Sequence, residues 1–156
     1  IMNNKIIKKT VSILVDADAC PVKKEIIKVS ERYNLEVIFI SNGGIRPYPS
    51  PLVKIVIVTE EPDAADTWIV NNLVARDVVI TNDILLAAEC VKLGAKVIKT
   101  NGQSIDQDTI GIAVASRNLA QSLRETGDIK GYNAPYSPRD RSQFLRTLDL
   151  TIQKSI

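Results

Sequence analysis

The chain contains no histidine in 156 residues. That absence excludes Ser-His-Asp and Cys-His catalysis, together with the usual histidine-based zinc sites. Acid–base or metal chemistry must then fall to carboxylates, lysines, tyrosines or bound water. Hard oxygen ligands select Mg²⁺ or Mn²⁺ over zinc or copper. Cysteine is nearly as scarce: Cys20 and Cys90 are too few for a disulfide framework and lack C-x-x-C spacing. No apolar run is long enough to cross a bilayer, and no repeat, low-complexity stretch or linker divides the chain. Charge is close to balanced at +2, so no bulk basic field points to nucleic acid, although a local patch stays open.

What is present fits one globular domain over residues 1–156. A hydrophobic content of 45% and a charged content of 24% are ordinary for such a domain, and the length suffices for a real core. The opening "IMNNKIIKKT" is polar and basic without the apolar centre of a secretory signal, and Met2 reads as the natural start. A reduced cytoplasmic setting without membrane association is the simplest expectation.

Short β-rich runs alternate with helical patterns. "VSILV" (11–15), "EVIFI" (36–40), "VKIVIV" (53–58), "VVIT" (78–81) and "AKVI" (95–98) read as strands. Between the first two, Pro21 suits a first helical position, with Val22, Ile26, Ile27 and Val29 on one face. A second helix is predicted from Asp63 to Ala75 with Ala65, Trp68, Ile69 and Leu73 inward. A third opens at an Asn82 or Asp83 cap and ends at Gly94. Asp106 or Asp108 can cap a fourth helix running to about Glu125 and closed by Gly127. "SPRD" (137–140) starts a last helix carrying Phe144, Leu145 and Leu148. The segment "GDIKGYNAPY" between these two reads as loop. Nearly continuous apolar strands with intervening helices argue for a mostly parallel sheet covered on both faces.

Sites in such folds lie beyond the carboxyl ends of the strands, and the acids concentrate there. Asp16 and Asp18 follow the first strand in "VDADACP", and Asp83 follows the fourth. Asp63 and Asp66 stand at i, i+3 at the start of a helix that leaves the same edge. Two carboxylates about 5 Å apart repel by about 3 kcal/mol at an effective dielectric near 20. A divalent cation would offset that repulsion. Each acid also has a plainer role: Asp83 or Asp18 as a helix cap, Asp63 and Asp66 as partners of a helix dipole. Asp16, directly after the apolar run Ile13-Leu14-Val15, is hardest to explain that way. Cys20 fits a small half-buried thiol and Trp68 a core position. Thr81 and Asn82 can line the site or satisfy a turn. Lys23, Arg46, Arg117, Arg139 and Arg141 can engage phosphate or form surface ion pairs.

"VDADACP", "RPYPSP", "DAAD", "VVITNDILLAAE", "GAKVI" and "YSPRDRSQFLRTLD" resemble, in order and spacing from Ile13 to Ile152, the YaiI/YqxD family of uncharacterised bacterial proteins. That family is in turn similar to the PIN-like nucleases. The resemblance implies a three-layer α/β domain of strand order 3-2-1-4-5 with C-terminal helices and an acidic Mg²⁺ or Mn²⁺ site. By it, Asp16 is the strand-1 aspartate, Asp63 and Asp66 are the helix acids and Asp83 is the strand-4 acid. Asp18 has no nuclease counterpart. Two departures stand out. Leu85 occupies the position of a proline in the family's "TADIPLA", and "KTNGQ" (99–103) lacks the arginine of "NPRGE", which removes a phosphate contact.

The implied activity is a metal-dependent phosphodiesterase acting on RNA or DNA. Its catalytic acids would be Asp16, Asp63, Asp66 and Asp83, with Asp18 as a further metal ligand. Lys23, Arg46, Thr81, Asn82, Arg139 and Arg141 would contact substrate. One alternative is a haloacid-dehalogenase-like phosphatase, with Asp16 as nucleophile, Asp18 as general acid and Thr81 on phosphate. Its further acidic pair at a strand end is missing, because Asp106 and Asp108 lie in a loop. The other alternative is a non-catalytic module binding nucleic acid or protein.

Overall fold

The computed structural model describes residues 11–127 and 134–156. The opening decapeptide and most of the loop before the last helix lie outside the described residues. The described chain runs β1 (Ile13–Asp16), α1 (Lys23–Tyr33), β2 (Val37–Ser41), β3 (Val53–Ile57), α2 (Ala64–Asn72), β4 (Val78–Ile80) and α3 (Ile84–Lys92). It continues through β5 (Lys96–Ile98), β6 (Ser104–Ile105), α4 (Ile110–Glu125) and α5 (Pro138–Ser155).

The sheet has the order β3-β2-β1-β4-β5-β6. The first five strands are parallel, as the apolar runs predict, and β6 adds an antiparallel edge. That sixth strand is two residues long, too short to leave a periodic signal. The chain moves outward from β1 to β3 and then returns to β4 on the other side of β1. The switch point therefore falls between the carboxyl ends of β1 and β4.

Side-chain alternation along the strands divides the core. Ile13, Val15, Val37, Phe39, Val78 and Ile80 pack on one face against Ile26 and Val29 of α1 and Phe144, Leu148 and Ile152 of α5. Leu14, Ile40, Val79 and Val97 pack on the other against Ile69 of α2 and Leu86, Cys90 and Val91 of α3. Within α2, Ala65 and Trp68 join Ile69 at this core only partly buried, as does Leu73, its C-cap. Helix α4 lies outside these layers against α3 and buries none of its own residues. No described helix is long and apolar enough to cross a membrane.

The ends of the helices follow local chemistry with three departures. Asp83 caps α3 by accepting from the N–H groups of Leu85 and Leu86. Ser137 and Asp140 form a reciprocal capping box on α5 with Pro138 inside it, a device worth about 1 kcal/mol. Pro21 stands two residues ahead of α1, in a turn that follows the left-handed Ala19 (φ 61°). Thr109, not Asp106 or Asp108, precedes α4. Asp106 instead folds the approach by accepting from the N–H groups of Asp108 and Thr109. Helix α2 stops at Asn72, short of Ala75.

Helix α5 is pinned along its middle. Tyr33 Oη donates to Asp149 at 2.7 Å beside an Arg32–Asp149 ion pair. Two residues earlier, Thr147 Oγ1 donates to the carbonyl of Gly102 at 2.7 Å.

Candidate acidic site at the carboxyl edge of the sheet

Asp16 ends β1 one residue beyond the Val15–Ile80 pair, beside Thr81 of the neighbouring strand. The Thr81 hydroxyl donates to Asp16 Oδ2 at 3.0 Å and accepts from the N–H of Asp83 at 3.0 Å. One buried hydroxyl thus couples two of the acids. Asp83 reaches the same edge because it caps α3, and its Oδ1 is engaged by the helix N–H groups. Asp66 arrives from the first turn of α2, half-buried and within hydrogen-bonding reach of Asp83.

Burial raises the Asp16 carboxyl above its ordinary value. The Thr81 hydrogen bond opposes the rise, and repulsion from Asp83 and Asp18 adds to it. Asp66 is pushed up to about 6, first by burial and then by the charges of Asp83 and Asp16. The same crowding reaches beneath the site: burial and then Asp66 push the Cys90 thiol up to about 12. Cys20 is partly buried, and burial raises its thiol too, so neither cysteine carries the thiolate that reactivity needs.

The structure brings together three of the five predicted metal ligands: Asp16, Asp66 and Asp83. Asp18 does not cap α1. It turns toward β2, accepting from Ser41 Oγ at 2.8 Å and from the Asn42 N–H at 3.2 Å. Asp63 is exposed at the start of α2 and lines a separate groove with Glu61 and Thr67. It is the weakest of the contributors to the Asp66 shift. Among the described residues, no three acidic or cysteine side chains close on one point as a ready-made metal cage.

The polar candidates separate by what already occupies them. Asn82 braces the loop by accepting from the Thr100 N–H at 2.9 Å and bonding the Thr100 hydroxyl. Thr100 in turn accepts from Tyr136 Oη. Arg141 stacks over the Tyr136 ring at 5.5 Å and pairs with Glu25 at 3.2 Å, so its charge is largely committed within the fold. Arg46 and Arg139 are exposed, and Lys23 is half-buried at the start of α1 near Cys20. Ser41, Thr100 and Tyr136 escaped sequence reasoning. The one signal for Ser41 was a polar residue closing an apolar strand.

The raised Asp66 carboxyl has a definite sign. A group raised in the folded chain favours folding below its unfolded value, and the benefit is lost as pH rises through about 6. Compared with Asp66→Asn, the wild-type chain should lose stability from about pH 4 to about pH 6. Above that range the variant should be the more stable by about 1 kcal/mol, a figure reduced for solvent screening because the side chain is half-exposed. Urea unfolding of both proteins across this pH series checks it; a constant difference between them would contradict the crowded carboxyl.

The family model described as the uncharacterised YaiI/YqxD family matches residues 14–154. A UPF0178 protein of Mesorhizobium japonicum is 52% identical over 145 residues, covering 93% of this chain and 94% of its own. One from Agrobacterium fabrum is 56% identical over 137 residues, covering 88% and 90%. One from Gluconobacter oxydans is 44% identical over 144 residues, covering 92% and 82%. No solved structure matches the chain.

Proposed function

The chain belongs to the YaiI/YqxD family, a membership that names no reaction, and from its acidic edge we propose a divalent-cation-dependent phosphodiesterase acting on RNA or DNA. The observation that carries this reading is the convergence of Asp16, Asp66 and Asp83 from three separate elements at the switch point of the sheet. Sheets of this kind place their ligands there. Like charges crowded at such a position favour a cation that neutralises them.

The donors fit Mg²⁺ or Mn²⁺ in kind and in charge: all are carboxylate oxygens, with no nitrogen ligand beside them. Asp16 and Asp83 would hold the ion and Asp66 would complete the carboxylate set. Water or substrate oxygens would fill the remaining positions, as Mg²⁺ usually retains them. When bound, such an ion lowers the pKa of a coordinated water and stabilises charge on a phosphoryl group. Thr81 fixes the Asp16 carboxylate through one oxygen, and the other has no hydrogen-bond partner among the described residues. The Asn82–Thr100 brace fixes the loop that presents Asp83. Lys23, Arg46 and Arg139 would supply positive charge for a phosphate backbone. Asp18 is held as a hydrogen-bond acceptor by Ser41 and Asn42, which suits it poorly to the proton-donating role the phosphatase scheme requires.

Cleavage of labelled single-stranded RNA and DNA, with Mn²⁺ and with EDTA, tests the proposal. The expected result is cation-dependent cleavage that co-elutes with the wild-type chain and disappears in Asp16→Asn. Cleavage that persists in the variant would belong to a contaminant and would remove the support for an enzyme.

A further inference from the structure

A groove opens beside the acidic edge, between the start of α3, the β5–β6 hairpin and the first half of α4. Ile84, Lys99, Gln103, Ile112, Ser116 and Arg117 line it, and no carboxylate does. Neither cation is committed elsewhere among the described residues. Arg32, Lys54, Lys92 and Arg141 each pair with an acid, whereas Arg117 only bonds its neighbour Asn118 and Lys99 forms no ion pair with a described residue. A groove beside Gly102 also lacks a carboxylate but has the single cation Arg146 and no apolar side chain, and two others mix in acids. The one at the start of β5 mixes Lys96 and Lys154 with Asp106, and the one along α2 contains Glu61 and Asp63.

The groove is tied to the acids by backbone. Ile84 directly follows Asp83. Lys99 directly precedes Thr100, whose N–H and hydroxyl are held by Asn82. The Lys99 N–H donates to the Gln103 carbonyl and its own carbonyl accepts from Gly102, so the tight hairpin sets two lining residues in place. Ile112 is 72% exposed, and with Ile84 it gives the groove an apolar wall that water covers poorly. Two unpaired cations beside an apolar wall match a phosphate attached to a planar base. Phosphate contacts supply affinity, and the face of any base can lie on such a surface.

We propose that this groove seats a nucleotide of single-stranded nucleic acid next to the phosphate held at the acidic edge, with Lys99 and Arg117 on its phosphate and Ile84 and Ile112 against its base. The inference rests on the phosphodiesterase reading for its choice of ligand. It adds a binding track that the acidic residues do not provide, and it assigns a role to the face of α4 that the core leaves uncovered.

The test is a binding titration in EDTA with short fluorescein-labelled oligouridylate and oligothymidylate. The wild-type chain should bind at least one of them. The Lys99→Ala/Arg117→Ala double variant should bind about tenfold or more weakly, and its salt slope should shrink by about 1.4, which is two phosphate contacts at about 0.7 each. Ile112→Ala should weaken binding without changing that slope, a readout that general loss of structure would not give. Lys154→Ala, in the groove on the other side of β5, should match the wild type. No binding of either probe by the wild-type chain, or a double variant no weaker than Lys154→Ala, would overturn the proposal. Because no divalent cation is present, failure here is distinguishable from failure of the acidic site, which metal titration reads separately.

Discussion

Gly102→Ala is expected to destabilise the fold by about 3 kcal/mol, lowering the thermal midpoint by about 10 °C for a chain of this size. Gly102 sits in the β5–β6 hairpin with φ 91°, where a side chain is strained whatever the space. A Cβ there would also meet the carbonyl carbon of Gln143 at 2.6 Å, its oxygen at 2.7 Å and the Phe144 nitrogen at 2.8 Å. Those atoms are α5 backbone, which cannot rotate away as a side chain could. Positive-φ strain costs about 1–3 kcal/mol, and overpacking costs a similar amount. Phe144 is fully buried in the core between the sheet and α5, so the clash would lift the helix at the point where it is anchored. Urea and thermal unfolding measure the loss. A change below about 1 kcal/mol would mean that α5 does not approach the hairpin this closely.

Asp16→Asn is expected to act in the opposite sense on stability and to be far more damaging to function. Asparagine keeps a carbonyl oxygen that can accept from the Thr81 hydroxyl, so the bond between β1 and β4 survives. It removes a charge that burial and the neighbouring acids disfavour, so the folded chain should be at least as stable at neutral pH. Cation affinity should nevertheless fall by more than about 100-fold. Loss of a residue that merely orients a ligand already costs about 10–100-fold, and Asp16 would be the ligand itself. An unfolded variant would instead make Asp16 a structural residue. A folded variant with normal affinity would leave the site to Asp66 and Asp83.

Much of the architecture is legible in the residues because local pattern and final structure agree. Five apolar strand runs and the caps at Asp83 and Ser137 place β1 to β5, α3 and α5 within a few residues of their positions. The Pro21 signal misplaces the start of α1 because the intervening turn, with Ala19 left-handed, separates them. The candidate site is only half legible. Chain topology brings Asp16, Asp66 and Asp83 to one edge, as the strand endings predict. Which acids face one another depends on contacts between residues far apart in the chain. Thr81 selects Asp16 across 65 positions, and Ser41 draws Asp18 aside across 23. The i, i+3 spacing of Asp63 and Asp66 shares a helix face but does not equalise burial: Asp66 lies against the sheet edge and Asp63 faces solvent.

The central claim is that three carboxylates at the switch point form a cation site. The most direct measurement is a calorimetric Mn²⁺ titration of the wild-type chain beside Asp16→Asn at about pH 7.5, where a carboxyl raised to about 6 is ionised. The account predicts saturable binding by the wild-type chain that the variant loses. Equal binding by both proteins, or none by the wild-type chain, would contradict it.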